Sequence, residues 1–130
     1  MLKFNPNTPV NFYSKETIYT PGEGSTAAWK EVIKKPLYCE WRGTFGDRAL
    51  SAEALGVKDS ATVRTFYHPE VYEKLRSVQV IIVRNRDDTA FLDGEPDKNN
   101  PNVFELWGGV DNVKEENHHM VFRVRRYEGK

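Results

Sequence analysis

The chain is short of the residue types on which most chemistry rests. It has one cysteine, Cys39, so no internal disulfide can form, which fits a reducing compartment. It has three histidines, His68, His118 and His119. The last two are adjacent, and neighbours on a strand point to opposite faces, so they do not readily serve one site. It has no net charge, with 19 basic residues against 19 acidic ones, so nothing global draws it toward nucleic acid or lipid. Its longest clear apolar run is Val80-Ile81-Ile82-Val83, far below the ~18–20 residues of a membrane helix. The opening residues lack the apolar core of a secretory signal. These absences lead us to expect one soluble, cytoplasmically made domain across 130 residues, without membrane contact.

Catalytic patterns are equally scarce. No Gly-x-Ser-x-Gly elbow occurs, and Gly22-Glu23-Gly24-Ser25-Thr26 lacks the spacing and the lysine of a phosphate loop. Cys39 falls in the apolar set of its strand, where a thiol stays protonated and inert. Asp93, Glu95, Asp97 and Asn99 alternate like the first ligands of a calcium loop. The sixth position from Asp93 is Lys98, however, where that loop needs glycine, and the twelfth is Phe104 in place of glutamate. We therefore expect no catalysis, no metal and no cofactor.

What the chain does have is a strand-rich pattern. Residues 16–20 alternate as a short strand, stopped by Pro21-Gly22-Glu23-Gly24. Residues 25–33 read as a short helix, with Trp29, Val32 and Ile33 on one side behind a Ser/Thr cap. Leu37, Cys39, Trp41 and Phe45 form one strand face, and Tyr38, Glu40, Arg42 and Thr44 the other. Residues 47–56 suit a second brief helix or a loop. Residues 61–67 and 78–84 read as strands, the latter covered on both faces. Between them Pro69, Glu70, Lys74 and Arg76 mark a short helix with Val71 and Leu75 toward the core. Residues 103–107 and 118–127 complete the strands, with Met120, Phe122 and Val124 inward and Arg123, Arg125 and Tyr127 outward. Trp41 and Trp107 are expected in the core. The whole suggests a mainly β fold: a small, partly open antiparallel β-barrel with one or two short helices, a long acidic loop and an extended N-terminal arm over residues 1–15.

Charge is unevenly placed. Residues 85–105 hold two basic and six acidic side chains, a net −4. With Gly94, Pro96, Pro101 and four asparagines in it, the stretch 85–102 reads as a long exposed loop without a packed element. An aromatic and basic platform for single-stranded nucleic acid is the alternative use of such a barrel. It would draw on Arg123, Arg125 and Tyr127 beside Arg42 and Tyr38.

The order of features carries a resemblance. Glu16-Thr17-Ile18-Tyr19, a glycine-bearing loop and Trp29 come first. Then follow the 38–45 strand, an alanine-rich link over 49–56, and Val63-Arg64-Thr65-Phe66-Tyr67-His68-Pro69. A segment into 78–83 leads to Trp107-Gly108-Gly109-Val110-Asp111-Asn112-Val113 and Phe122-Arg123-Val124-Arg125-Arg126. This resembles the head–tail joining proteins (head closure or connector) of long-tailed bacteriophages and prophages, over roughly residues 16–126. Two departures stand out: the acidic insertion is longer than the family leads one to expect, and 25–33 reads as helix where extended chain is expected.

The resemblance implies a non-enzymatic virion-assembly protein, made in the bacterial cytoplasm and placed at the head–tail interface. Its partners would be the portal or adaptor and the tail proteins of the same phage. Copies would associate into a ring, with packaged DNA nearby and no sequence-specific binding to it. Head-to-tail ring contacts would suit an acidic loop against an arginine strand. The expected interface residues are Asp87, Asp88, Asp93 and Asp97 against Arg123, Arg125 and Arg126, with Trp29 as an aromatic anchor.

Overall fold

The computed structural model describes residues 4–43, 60–113 and 117–129. The elements are β1 (Thr8–Thr20), β2 (Gly24–Glu31), β3 (Leu37–Gly43), β4 (Ala61–Phe66), α1 (Pro69–Ser77), β5 (Val80–Arg84), β6 (Phe91–Leu92), β7 (Glu95–Pro96), β8 (Val103–Asn112) and β9 (His119–Arg126). The helix expected over 47–56 lies outside the described residues.

Six strands pair in the circuit β1–β3–β4–β9–β8–β5 and back to β1, every pairing antiparallel. A ring-like sheet of this kind satisfies most strand edges internally, which a flat sheet of six strands does not. Period-two alternation fills its interior. Val10 and Phe12 come from β1, Cys39 from β3, Ala61 and Val63 from β4, Val80 and Ile82 from β5, Phe104 from β8, and Met120, Phe122 and Val124 from β9. Phe12 and Phe122 meet edge to face across this core, with ring centroids 6.0 Å apart. The segment expected as an N-terminal arm is therefore, from Thr8 onward, a core strand.

The helix α1 joins the same core through Val71 and Leu75, one turn apart. His68 caps it, its Nδ1 accepting from the Val71 N–H at 3.5 Å. Pro69, Glu70, Lys74 and Arg76 take the positions that suit the helix dipole.

A second, smaller core lies outside the ring. Ile81, Val83 and Val103 turn outward from β5 and β8, and Ala90 and Tyr127 bury against them, with Tyr13, Trp29 and Phe91 packed around. The segment 85–102 supplies this cover, which corrects the expectation of a loop without packed elements. It contains the two-stranded ladder β6–β7, and Ala90, Pro96 and Asn100 are buried. Its short supply of apolar residues is offset by side chains that hydrogen-bond local backbone, as Asp and Asn do in turns. Asp87 accepts from the Thr89 N–H at 2.8 Å, Asp97 from the Asn99 N–H at 3.0 Å, and Asn100 from the Asn102 N–H at 2.9 Å. Most of its surface nonetheless faces solvent. The same cover buries Tyr127, expected outward: its side is outward, but that side is roofed.

Two further expectations give way. Residues 24–31 are the strand β2 and not a helix, paired in unbroken register with β1 from Tyr13↔Glu31 to Thr20↔Gly24. The turn between them, with Gly22 at φ +86° and the Glu23 N–H donating to the Thr20 carbonyl at 3.0 Å, sends the chain straight back along β1. Pairing with a strand already fixed in the core overrides the helical spacing of Trp29, Val32 and Ile33. Trp107, expected in the core, sits at a bulge in β8 between Leu106 and Val110. There its ring turns outward beneath the Arg123 guanidinium, 4.6 Å from the ring centre.

Candidate functional site

Three surfaces carry the residues of interest. The first is β9, along its outer face and at its C-terminal end. Arg125 pairs with Glu105 on the neighbouring strand at 3.0 Å, Arg123 stacks on Trp107, and Arg126 donates to the Lys98 carbonyl at 3.3 Å. All three expected interface arginines thus have contacts within their own chain. Arg123 remains exposed and is the most accessible cation of the three.

The second is the acidic segment, whose four aspartates do not act alike. Asp87 is an organiser: one carboxylate oxygen takes both the Thr89 N–H and hydroxyl, and the other takes the Asn102 amide at 3.0 Å. The Asn102 and Thr89 hydrogen bonds hold its carboxyl well below the usual carboxylate range. Asp88 and Asp93 face solvent, and Asp97 is half-buried with one oxygen on the Asn99 N–H. Glu95 turns away to accept from the Trp29 indole N–H at 3.3 Å. Asp93, Glu95, Asp97 and Asn99 therefore do not converge, and among the described residues no three His, Cys, Asp or Glu side chains are grouped to hold a metal.

The third surface is the β1–β2 hairpin. Its base is fixed on both faces. On one, Trp29 packs against Phe91 and under Lys15. On the other, Glu16 accepts from Lys74 of α1 and from Ser14, both at 2.8 Å, and those bonds lower its carboxyl's pKa. Trp29, expected as an interface anchor, thus anchors within its own chain. Past this base the arm is exposed, with Tyr19 71% accessible near its tip.

The sequence reading missed a fourth feature. Tyr38, Phe66 and His119 stand in register across the outer face of β3, β4 and β9. Phe4 lies over Phe66 and His119 at 5.2 and 4.8 Å between ring centres. Arg64 stacks on Phe4 and lies 3.3 Å from His119 Nδ1. Desolvation, then the charge of Arg64, then His118 lower the pKa of His119, so its neutral ring accepts from the guanidinium. The alternation of Arg64 and Phe66 against Ala61, Val63 and Thr65 was the available signal.

Cys39 is fully buried, and desolvation pushes its thiol up to about 12, so it is not a nucleophile at neutral pH. His68 is engaged in capping α1. Among the described residues no helix is long and apolar enough to cross a membrane. No protein-family model matches the chain, and no curated protein matches it.

Proposed function

We propose that the chain is a structural subunit of the joint between a DNA-filled bacteriophage head and its tail. In this reading it adds to the portal or adaptor after packaging, associates into a ring, helps to retain the DNA and offers a surface to the tail. It does so without catalysis. The observation that carries the reading is the combination of a ring-like antiparallel body with a two-stranded arm projecting beyond it. A subunit that must reach its neighbours in a ring has use for such an arm, and a pocket-based enzyme does not. Residues 24–31 are extended, as the resemblance leads one to expect. Deleting the gene from its source genome and inducing particle formation tests the reading. Heads that package and then leak DNA, beside complete free tails, support it.

A second reading rests on the outer row of Tyr38, Phe66 and His119 with Phe4 and Arg64. Exposed aromatic rings beside a guanidinium on a curved sheet are what bases of a single strand stack upon. The platform differs from the one expected, since Tyr127 is buried and Arg125 is paired. Oligonucleotide titration at low salt tests it: binding that falls steeply with salt and with Phe66→Ala supports it, and no binding removes it.

A further inference from the structure

The segment before β1 crosses the outer face as a strap held at few points. Residues 4–7 form neither helix nor strand, and the ladder with β3 begins only at Thr8↔Cys39. The Asn5 N–H donates to Glu40 Oε2 at 2.8 Å, and Pro6 has no N–H to give. One residue earlier the Phe4 ring meets Phe66 and His119 at 5.2 and 4.8 Å between ring centres, both edge to face. The Arg64 guanidinium lies 5.6 Å from the centre of the same ring. An open cleft of about 300 Å³ beside the strap is lined by Asn5, Asn7, Glu40, Trp41 and Arg42. Part of the strap therefore borders open space and is not packed.

Both holds depend on where Arg64 points. It stands directly opposite Glu40 in the β3–β4 ladder, where facing Cβ atoms are ~4.5–5.5 Å apart. It nonetheless turns the other way, to His119 Nδ1 at 3.3 Å, and leaves Glu40 to Arg42 at 2.9 Å and to the Asn5 N–H. That choice suits only a neutral imidazole. A protonated ring has no lone pair to offer and sets a second cation against the guanidinium. Arg64 then has Glu40 to turn to, where a charged donor outcompetes the Asn5 N–H. Its Nε, moreover, is buried without a hydrogen-bond partner in the closed arrangement, so the guanidinium gains by leaving.

We propose that residues 4–7 are a proton-operated strap, closed over Phe66 and His119 while the imidazole is neutral and lifted when it takes up a proton. The other groups around the ring do not undo this. His118, next to it on β9, adds to the repulsion. Asp111 of β8, opposite Val121, is only a diagonal neighbour at the ~7–8 Å typical of such pairs, against 3.3 Å for Arg64. Glu40 and Arg42 of β3 lie beyond Arg64 and pair with each other. Phe4 brings a ring and no charge, and beyond Phe66 the row ends in the uncharged Tyr38. Burial, then Arg64, then His118 lower the pKa of His119, which is the sign the strap requires: the closed form takes up a proton less readily than the open one. Lifting bares the Phe66 ring and frees the Arg64 guanidinium together, the pair on which the second reading stacks a base. The strap itself rests on neither reading.

One NMR titration of the purified chain tests it. Nuclear Overhauser contacts from Phe4 to Phe66 are expected at pH 7 and should be lost as the His119 ring signals shift, with a single midpoint for both. Linkage between strap and proton is reciprocal, so Phe4→Ala should raise the His119 midpoint toward the ordinary ~6.5. His119→Gln keeps an acceptor for Arg64 and cannot take up the proton. It is expected to hold the Phe4 contacts at pH 7 and through the whole range, while His118→Gln leaves the transition in place. Amide spectra show whether each variant keeps the sheet, and all three changes lie on its exposed side. Phe4 contacts that persist after His119 is protonated overturn the strap. So does a His119 midpoint that Phe4→Ala leaves unmoved, or a His119→Gln chain that fails to hold the contacts at either end of the range.

Discussion

The indole N–H of Trp29 donates to the Glu95 carboxylate at 3.3 Å, joining the base of the β1–β2 arm to the acidic segment across 66 positions of sequence. The same indole packs against Phe91, which meets Tyr13 at 4.8 Å between ring centres. The arm's direction and the fold of 85–102 are therefore set together. Trp29→Ala and Phe91→Ala should each lower stability by about 1–3 kcal/mol, less than loss of a fully buried aromatic. The double variant should lose less than the sum, because the two share one contact. Urea unfolding of the four proteins measures the coupling; strict additivity would show that the segment does not brace the arm.

Asp87 should make the 85–102 segment acid-sensitive. Its folded pKa lies below the ordinary ~3.9 of the unfolded chain. A depressed carboxylate contributes stability that is complete above the unfolded value and is lost as pH falls toward the folded one. The Thr89 and Asn102 amide NMR signals should thus hold steady at neutral pH and move well below pH ~3.9. Asp87→Ala should abolish that titration and loosen the segment at every pH. Titration at the ordinary aspartate value would contradict the network.

His119 gives a second window. Its pKa is lowered, so the unfolded chain takes up a proton first, and stability falls as pH drops below ~6.5. Arg64→Met should shift the His119 imidazole titration upward, since it removes a cation from beside the ring. Imidazole NMR shifts check this, and an unchanged titration would mean that the guanidinium does not act on the ring.

Phe12 and Phe122 meet in the ring interior, so Phe12→Ala should cost about 3–5 kcal/mol. Phe66, exposed on the outer face, should cost far less on the same change. Thermal unfolding compares the two, and equal losses would place Phe66 in a core that the structure does not give it.

The acidic surface should matter to assembly through Asp88, Asp93 and Asp97, since Asp87 is committed to Thr89 and Asn102. Changing Asp88 and Asp93 to lysine, with Asp97 kept for its bond to the Asn99 N–H, should leave the fold near its original stability and abolish incorporation into particles. Normal incorporation would remove the acidic surface from the interface.

The ring interior was legible because period-two alternation survives wherever one face is buried: Cys39 on β3 and Met120, Phe122 and Val124 on β9 all lie inward, as does the Val71–Leu75 side of α1. Val80–Val83 was legible as covered on both sides, but not by what. Its cover comes from an acidic stretch whose hydrogen-bonded turns leave no periodic signal. Trp29, Val32 and Ile33 misled because helical spacing over three residues is weak against a long partner strand. Tyr127 misled because alternation gives the side of a strand and not whether that side is roofed. The charged residues expected at an interface were locatable by composition. Their partners Glu105, Trp107 and Lys98 depend on register and on a bulge, which no local pattern encodes.

The most direct measurement is particle assembly without the gene. Deletion from the source genome, followed by induction and electron microscopy, is expected to yield heads that have packaged and leaked their DNA alongside complete unattached tails. Intact, infectious virions in normal number would contradict the central claim.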